Sequence, residues 1–260
     1  MKLSLSGRLW ESPTGYRINL KQHIIEAAKI GYEGIEVRYP LLPKLEETSS
    51  FRKILMDNKI RAVFAFCAGL PQDEQSTADA LRVIKTVKEL GGSLVRIVLT
   101  KEEDMPFLKK LAQIAEDSSI NIAIHLHTGT FCDSVDKTLR VLDLLNASNA
   151  CILFDAIHLL MAGETDLAGA ITRLAGRIGL VNIQNFKKVP DNTLKSHRIY
   201  GNNGLPVPPD DPDGINFREL ISLLKKNGYN GWLNVMCTTG ENEDPLAVAK
   251  DYFDVLKPLI

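Results

Sequence analysis

Short runs rich in apolar and β-branched residues alternate along the chain with longer stretches whose apolar positions recur every three or four residues. Period two predicts strands and period 3.6 predicts helices. The strand-like runs are 2–7 (KLSLSG), 34–38 (GIEVR), 60–66 (IRAVFAF), 94–99 (LVRIVL), 121–127 (NIAIHLH), 151–155 (CILFD), 179–184 (GLVNIQ) and 231–236 (GWLNVM). Helices are predicted over 19–30, 44–58, 74–91, 103–118, 134–147, 164–176, 216–228 and 245–257. Local chemistry supports the ends: Asp133 or Ser134 can cap the fifth helix, and KIGYEG, KELGGS and KKNGYNG place Gly after a helical Lys. Eight β-α units in 260 residues predict an α/β protein, a (β/α)8 barrel forming a single domain over 1–260. A doubly wound sheet is the rival, but it usually has fewer strands, and no GxGxxG follows the first run.

Alternation then assigns faces. The apolar parity of each strand must meet the helices, so the other parity points into the barrel. By that rule Ile122, Ile124 and Leu126 face out, leaving Ala123, His125 and His127 inward. Glu36 and Arg38, Asn182 and Gln184, and Asn234 and Met236 point inward on the second, seventh and eighth strands. Ser6, Arg8, Arg96 and Asp155 follow on the first, fourth and sixth. These polar residues collect at the C-terminal strand ends, where (β/α)8 enzymes build their sites. Buried polar groups spread over so many strands are costly unless they serve a pocket. Of the five histidines, His23 falls on a predicted helix, where a surface position is expected. His125, His127 and His158 lie at or just past strand ends, and His197 with Arg198 in the long loop after the seventh strand.

Composition narrows the functional classes. A net charge of −1 gives no basic surface for nucleic acid. No run approaches the ~20 apolar residues of a membrane span. The start MKLSLSGRLW is too short and polar for a signal peptide. The four cysteines (Cys67, Cys132, Cys151, Cys237) are scattered without a CxxC pair, as expected of reduced thiols in a cytoplasmic protein.

IGYEGIEVR, FDAIHLLMAGE and KKNGYNGWLNV together resemble the xylose isomerase-like TIM barrels, the group of sugar isomerases and epimerases that includes endonuclease IV. The resemblance implies a divalent metal held by a Glu ending strand five, an Asp on strand six, a His on strand seven and a Glu ending strand eight. It also implies that the two Glu residues move a proton through an enediolate. Matched onto this chain, His125 stands at the first Glu, Asp155 is retained with His158 as its x-x-His partner, Asn182 stands at the strand-seven His, and Met236 at the last Glu. The strand-seven pattern continues as Ile183, Gln184 and Asn185. A thioether is a poor partner for Mg2+ or Mn2+ and accepts no proton, so the usual mechanism is not expected.

Two readings follow. The first is a sugar or sugar-phosphate isomerase/epimerase with a remodelled site, in which His125, His127 or Glu36 supplies the acid/base group. Arg8, Arg38, Arg96, His158, Asn182, Gln184, His197, Arg198, Asn234 and Met236 would contact substrate. The second is a catalytically silent barrel that binds a sugar or related metabolite. A metal-free pocket is the first expectation. A Zn2+ or Mn2+ ion on Asp155, His125 and His158 (or His127) is the alternative. The excess of Arg over carboxylates suits an acidic or phosphorylated ligand, unless these Arg pair inside the barrel. Trp10 is a candidate for stacking on a sugar face, and Trp232 for the core. The stiff segment PVPPDDP, 206–212, is placed on the active-site side, over the mouth or against a neighbouring subunit. An endonuclease-like activity is discounted for want of metal ligands and a basic face. The resemblance leaves room for a homo-oligomer.

Overall fold

The computed structural model describes every residue except 13, 68, 191–196, 200, 201 and 240–242, and for 40, 197–199, 202 and 203 the backbone alone. Eight parallel strands close into a barrel: β1 Lys2–Ser6, β2 Gly34–Val37, β3 Arg61–Phe66, β4 Leu94–Ile97, β5 Asn121–His125, β6 Ala150–Asp155, β7 Ile178–Ile183 and β8 Trp232–Val235. Sequence order equals spatial order, with β8 returning to β1, so every connection is a right-handed βα crossover of the kind this architecture requires. The rival open sheet is thereby excluded.

The helix layer follows the predicted periodicity: α1 Leu20–Ile30, α2 Thr48–Asp57, α3 Glu74–Glu89, α4 Met105–Asp117, α5 Val135–Leu145, α6 Ala156–Ala162, α7 Leu167–Arg173, α8 Phe217–Lys226 and α9 Pro245–Leu256. Ser134 caps α5 by accepting from the Lys137 N–H, and Gly31 ends α1 at φ 113°, where a Cβ would be strained. Two features differ from the sequence expectation. The helix expected over 164–176 is α7 preceded by a separate α6 that starts directly on the last residue of β6. Asp155 occupies the cap position of α6 without capping it, because its carboxylate is turned into the barrel. Short strands also form outside the barrel: Glu11–Ser12 against Gly15–Tyr16, and Phe186–Lys188 with Asn202–Pro206 and His197–Ile199.

Strand parity holds. Ile35, Val37, Ile122, Ile124, Leu126, Val181, Ile183, Leu233 and Val235 belong to the core between strands and helices. Inside the barrel the floor is apolar, built from Val63, Phe64, Leu94, Ala123, Leu153 and Leu180 with Cys151 and Trp232 packed on them. Gly34 is glycine because that floor is full: a Cβ there would lie 2.5 Å from Val63 Cγ2 and 2.9 Å from Trp232 Cζ3. Above the floor the inward positions turn polar. The four cysteines are free, and Cys67, Cys132 and Cys237 are buried. Among the described residues no helix is long and apolar enough to cross a membrane.

His23 corrects the sequence expectation of a surface position. It shares the buried stripe of α1 with Leu20, Ile24 and Ala27 and has no exposure. Trp10 Nε1 donates to its Nδ1 (2.8 Å), which leaves the ring proton on Nε2. Trp10 is therefore buried in the helix layer and unavailable to stack on a sugar.

Candidate active site

Register builds the site. In parallel pairing Ser4 lies opposite Asn234, Asn234 opposite Asn182, and Asn182 opposite Asp155. Neighbours in register share a face, and here they form one hydrogen-bonded chain around the barrel. Ser4 Oγ donates to Asn234 Oδ1 (3.1 Å), Asn234 Nδ2 to Asn182 Oδ1 (3.1 Å), and Asn182 Nδ2 to Asp155 Oδ2 (3.2 Å). Gln184, just past the end of β7, donates from Nε2 to the same Asp155 oxygen at 2.7 Å.

On the next strand His125 Nε2 stands 3.3 Å from Asp155 Oδ2, and His158, one turn into α6, places Nε2 at 3.8 Å. His127 stacks on His158 with centroids 3.6 Å apart, and His125 meets both edge-on. Nδ1 of His127 faces the Thr128 carbonyl at 2.8 Å, so that nitrogen carries the proton. The cluster is nearly dry: Asp155 and His125 are each 1 % exposed and His158 3 %. Burial disfavours charge on all of them. It pushes Asp155 up to about 7 against the pull of Asn182, Gln184 and Arg96. It drops His127 to about 4 and holds His125 and His158 well below the ordinary imidazole value, with the charges of Arg96 and Arg8 acting in the same direction. At neutral pH the site combines three neutral imidazoles with a carboxyl that exchanges its proton. Among the described residues, Nδ1 of His125, Nδ1 of His158 and Oδ1 of Asp155 are buried with no hydrogen-bond partner.

The arginines divide into two kinds. Arg38 is paired: Nη2 reaches Glu11 Oε1 at 2.5 Å and Nη1 reaches Glu36 Oε1 at 3.5 Å. Glu36, opposite Ser6 in register, accepts from Ser6 Oγ. Burial would raise Glu36, but Arg38, Arg96 and Ser6 hold its carboxyl below the usual value. Glu36 is thus committed as a charged counter-ion. Arg96, opposite Phe66, stacks on that ring at 4.3 Å and sends Nη1 to Met236 Sδ at 3.4 Å. Among the described residues neither Arg96 nor Arg8 forms an ion pair, and Nε of each is buried without a partner.

The expected residues therefore separate. His125, His127, His158, Asp155, Asn182, Gln184, Asn234, Met236, Arg8 and Arg96 come together, and Glu36 with Arg38 forms the adjoining ion pair. Asn185, the last residue of the strand-seven pattern, anchors a loop. Its Nδ2 donates to the Pro208 carbonyl (2.7 Å) and its Oδ1 accepts from Ile215 N (2.8 Å). That ties the proline-rich segment to the end of β7. The side chains of His197 and Arg198 lie outside the described residues. Sequence reading missed Phe66, Ser6 as a Glu36 donor, and Glu11 with Tyr16, whose hydroxyl donates to Glu11 at 2.7 Å. Strand parity flags Phe66, whereas the Glu11–Tyr16 hairpin leaves no periodic signal.

A model of the xylose isomerase-like TIM barrel matches residues 24–259. The chain belongs to the xylose isomerase-like TIM barrel family. It is 26 % identical to an inosose dehydratase of Mesomycoplasma hyopneumoniae (strain J), over all of this chain and 96 % of that one. Among solved structures it resembles a zinc-bound IOLI protein (TM-score 0.75, 20 % identity, 100 % of this chain and 99 % of that one). It also resembles a D-allulose 3-epimerase from Methylomonas sp. in complex with D-allulose (TM-score 0.72, 17 % identity, 100 % and 97 %). These two likenesses establish a shared fold.

The family implies a metal, and the donor set decides whether one fits. The oxygen-rich arrangement does not. Asn182 turns its N–H side toward Asp155, and Met236 offers only sulfur, which already faces the Arg96 guanidinium. His125, Asp155 and His158 do bring three ligand atoms within 4.8 Å of one another. The Asp155 oxygen they share is nevertheless occupied by two amide N–H donors. Both histidines also lack the Nδ1 partner that normally orients a ligating imidazole. As they stand, the same three side chains are acid/base groups in contact with one another.

Proposed function

We propose that the protein carries out acid–base chemistry at a carbon beside the carbonyl of a keto-sugar or keto-polyol, as an isomerase, epimerase or dehydratase. The observation that carries this reading is the contact, in one dry site, between neutral imidazoles and a carboxyl pushed up to about 7. The names of the relatives, a dehydratase and an epimerase, describe two outcomes of the same first step.

In this reading His125 engages Asp155 through Nε2–H and presents Nδ1 as the base. It takes the proton from the carbon, while protonated Asp155 delivers its own from Oδ1 to the carbonyl oxygen, giving an enediol without a metal. Reprotonation of the enediol on its other face, by a group other than His125, epimerises the carbon, and returning the proton to the neighbouring carbon isomerises the sugar. Loss of a β-hydroxyl as water completes a dehydration. His127 and His158 line the same centre, and Asn182, Gln184 and Asn234 hold Asp155 in place. Glu36 enters as the counter-ion of Arg38 rather than as a proton carrier.

Solvent-deuterium exchange into a panel of ketoses, inososes, aldoses and their phosphates tests the reading. The expected result is exchange at the carbon beside the carbonyl, lost by about 10²-fold or more in His125→Ala. It should proceed in protein purified without chelator whose zinc and manganese are sub-stoichiometric. Stoichiometric zinc that disappears in His158→Ala would overturn the metal-free chemistry. Binding of panel members without any exchange would leave a sugar-binding barrel.

A further inference from the structure

Among the described residues two cations in this site form no ion pair, whereas Arg38 forms two. Arg96 is 5 % exposed, pinned by Phe66 on one face and by Met236 Sδ at Nη1, and its Nε has no partner. Arg8 follows β1 on the short helix Gly7–Trp10, and its Nε is likewise buried and unpartnered. Glu36 attracts Arg96, yet its oxygens are taken by Ser6 and Arg38. Asp155, the other carboxyl of the site, has one oxygen filled by amides. The neighbouring rings are neutral. A buried guanidinium left unsatisfied is costly, and desolvation, with the Arg38 and Arg8 charges, lowers Arg96 to about 10 against the pull of Glu36 and Asp155. Arg38, two residues after Glu36, shows the ordinary solution: two carboxylates.

We propose that Arg8 and Arg96 form a clamp for an anionic group, a phosphate or a carboxylate, carried by the substrate itself. The inference rests on the reading of the site as one for keto-sugars or keto-polyols and narrows it to their acidic derivatives. Two guanidiniums with no carboxylate bound to either suit the paired oxygens of such a group. Met236 contributes here as well. A carboxylate in its place would neutralise Arg96, whereas the thioether leaves the charge for the ligand. The same pair would disfavour neutral sugars, which bring no counter-charge to either guanidinium.

Calorimetric titration of the purified full chain with inorganic phosphate, and separately with a small monocarboxylate, tests this without requiring turnover. Neutral inositol and chloride serve as controls. Phosphate or carboxylate should bind more tightly than either control. Arg8→Gln and Arg96→Gln should each weaken binding by about tenfold or more, and Arg96→Lys should retain part of it. The variants' circular dichroism shows whether they fold, and Arg8→Gln, on a less buried residue, keeps the test intact if Arg96→Gln does not fold. Preference for phosphate assigns a phosphorylated substrate, and preference for the carboxylate assigns a sugar acid. Binding no tighter than chloride, or binding unchanged in the folded arginine variants, overturns the clamp. Arginine-dependent binding with no deuterium exchange anywhere in the panel would uphold the clamp and remove the catalytic reading. Exchange into neutral ketoses with no anion binding would do the reverse.

Discussion

Asp155 is the residue on which the chemistry turns. Three donors or near-donors converge on its Oδ2, its Oδ1 is unpartnered, and burial pushes it up to about 7. As the proton donor it works in the protonated form, so exchange should fall as pH rises through about 7. The histidine base works in the neutral form, and its depressed value places the acidic limb well below the ordinary imidazole range. The pH profile of exchange checks this. Asp155→Asn should abolish the limb near 7 along with most of the rate, while a profile unchanged by that substitution would remove Asp155 from the proton path. The identities of these residues could be read from the sequence. Their protonation could not, because it depends on how little water reaches them and on the nearby charges of Arg8 and Arg96.

Among the secondary-structure elements, the strands were legible almost to the residue, since one parity of each had to be apolar. Ile122, Ile124 and Leu126 fixed the direction of His125 and His127 without any tertiary information. The elements that escaped lack such periodicity. α6 escaped because its cap residue, Asp155, turns inward and the helix begins on the strand's last residue. The hairpin Glu11–Ser12/Gly15–Tyr16 escaped because its value lies in one long-range pair, Glu11 with Arg38. The barrel floor offers a test at this scale. Gly34→Ala would push a methyl to within 2.5 Å of Val63 and 2.9 Å of Trp232. The strand would have to shift, and stability should fall by about 1–3 kcal/mol, measured as a lower urea midpoint with an unchanged slope. No loss would show that the floor holds more space than the contacts indicate.

The whole molecule shares out charge between its two layers. Among the described residues four histidines are buried and held neutral: His125, His127 and His158 in the barrel mouth, and His23 on the inner face of α1. Burial lowers His23 to about 4, and His127 to about 4. A folded-state value below the unfolded one means that the unfolded chain binds the extra proton. Stability from these groups is therefore present above about 6.5 and lost as pH falls toward 4. Asp155, raised in the folded state, acts in the opposite direction and offsets one of them. Urea unfolding across that window should show stability declining on acidification by a few kcal/mol, on the order of 3 per fully counted histidine. His23→Gln should make the slope shallower. A flat profile would mean that these imidazoles are charged in the folded protein.

The sequence by itself determined the barrel, its helix layer and the list of polar side chains that point into the mouth. Those follow from the periods of strand and helix and from the need to bury one face of each. It also determined that two carboxylates expected by resemblance are absent, since His125 and Met236 stand in their places. Only the tertiary structure decided which of the inward residues pair with one another. Arg38, Arg96 and Arg8 look alike along the chain. Among the described residues, cross-strand register and a short hairpin give two ion pairs to Arg38 and no ion pair to the other two, because ion pairing depends on distances of a few ångströms between strands far apart in sequence.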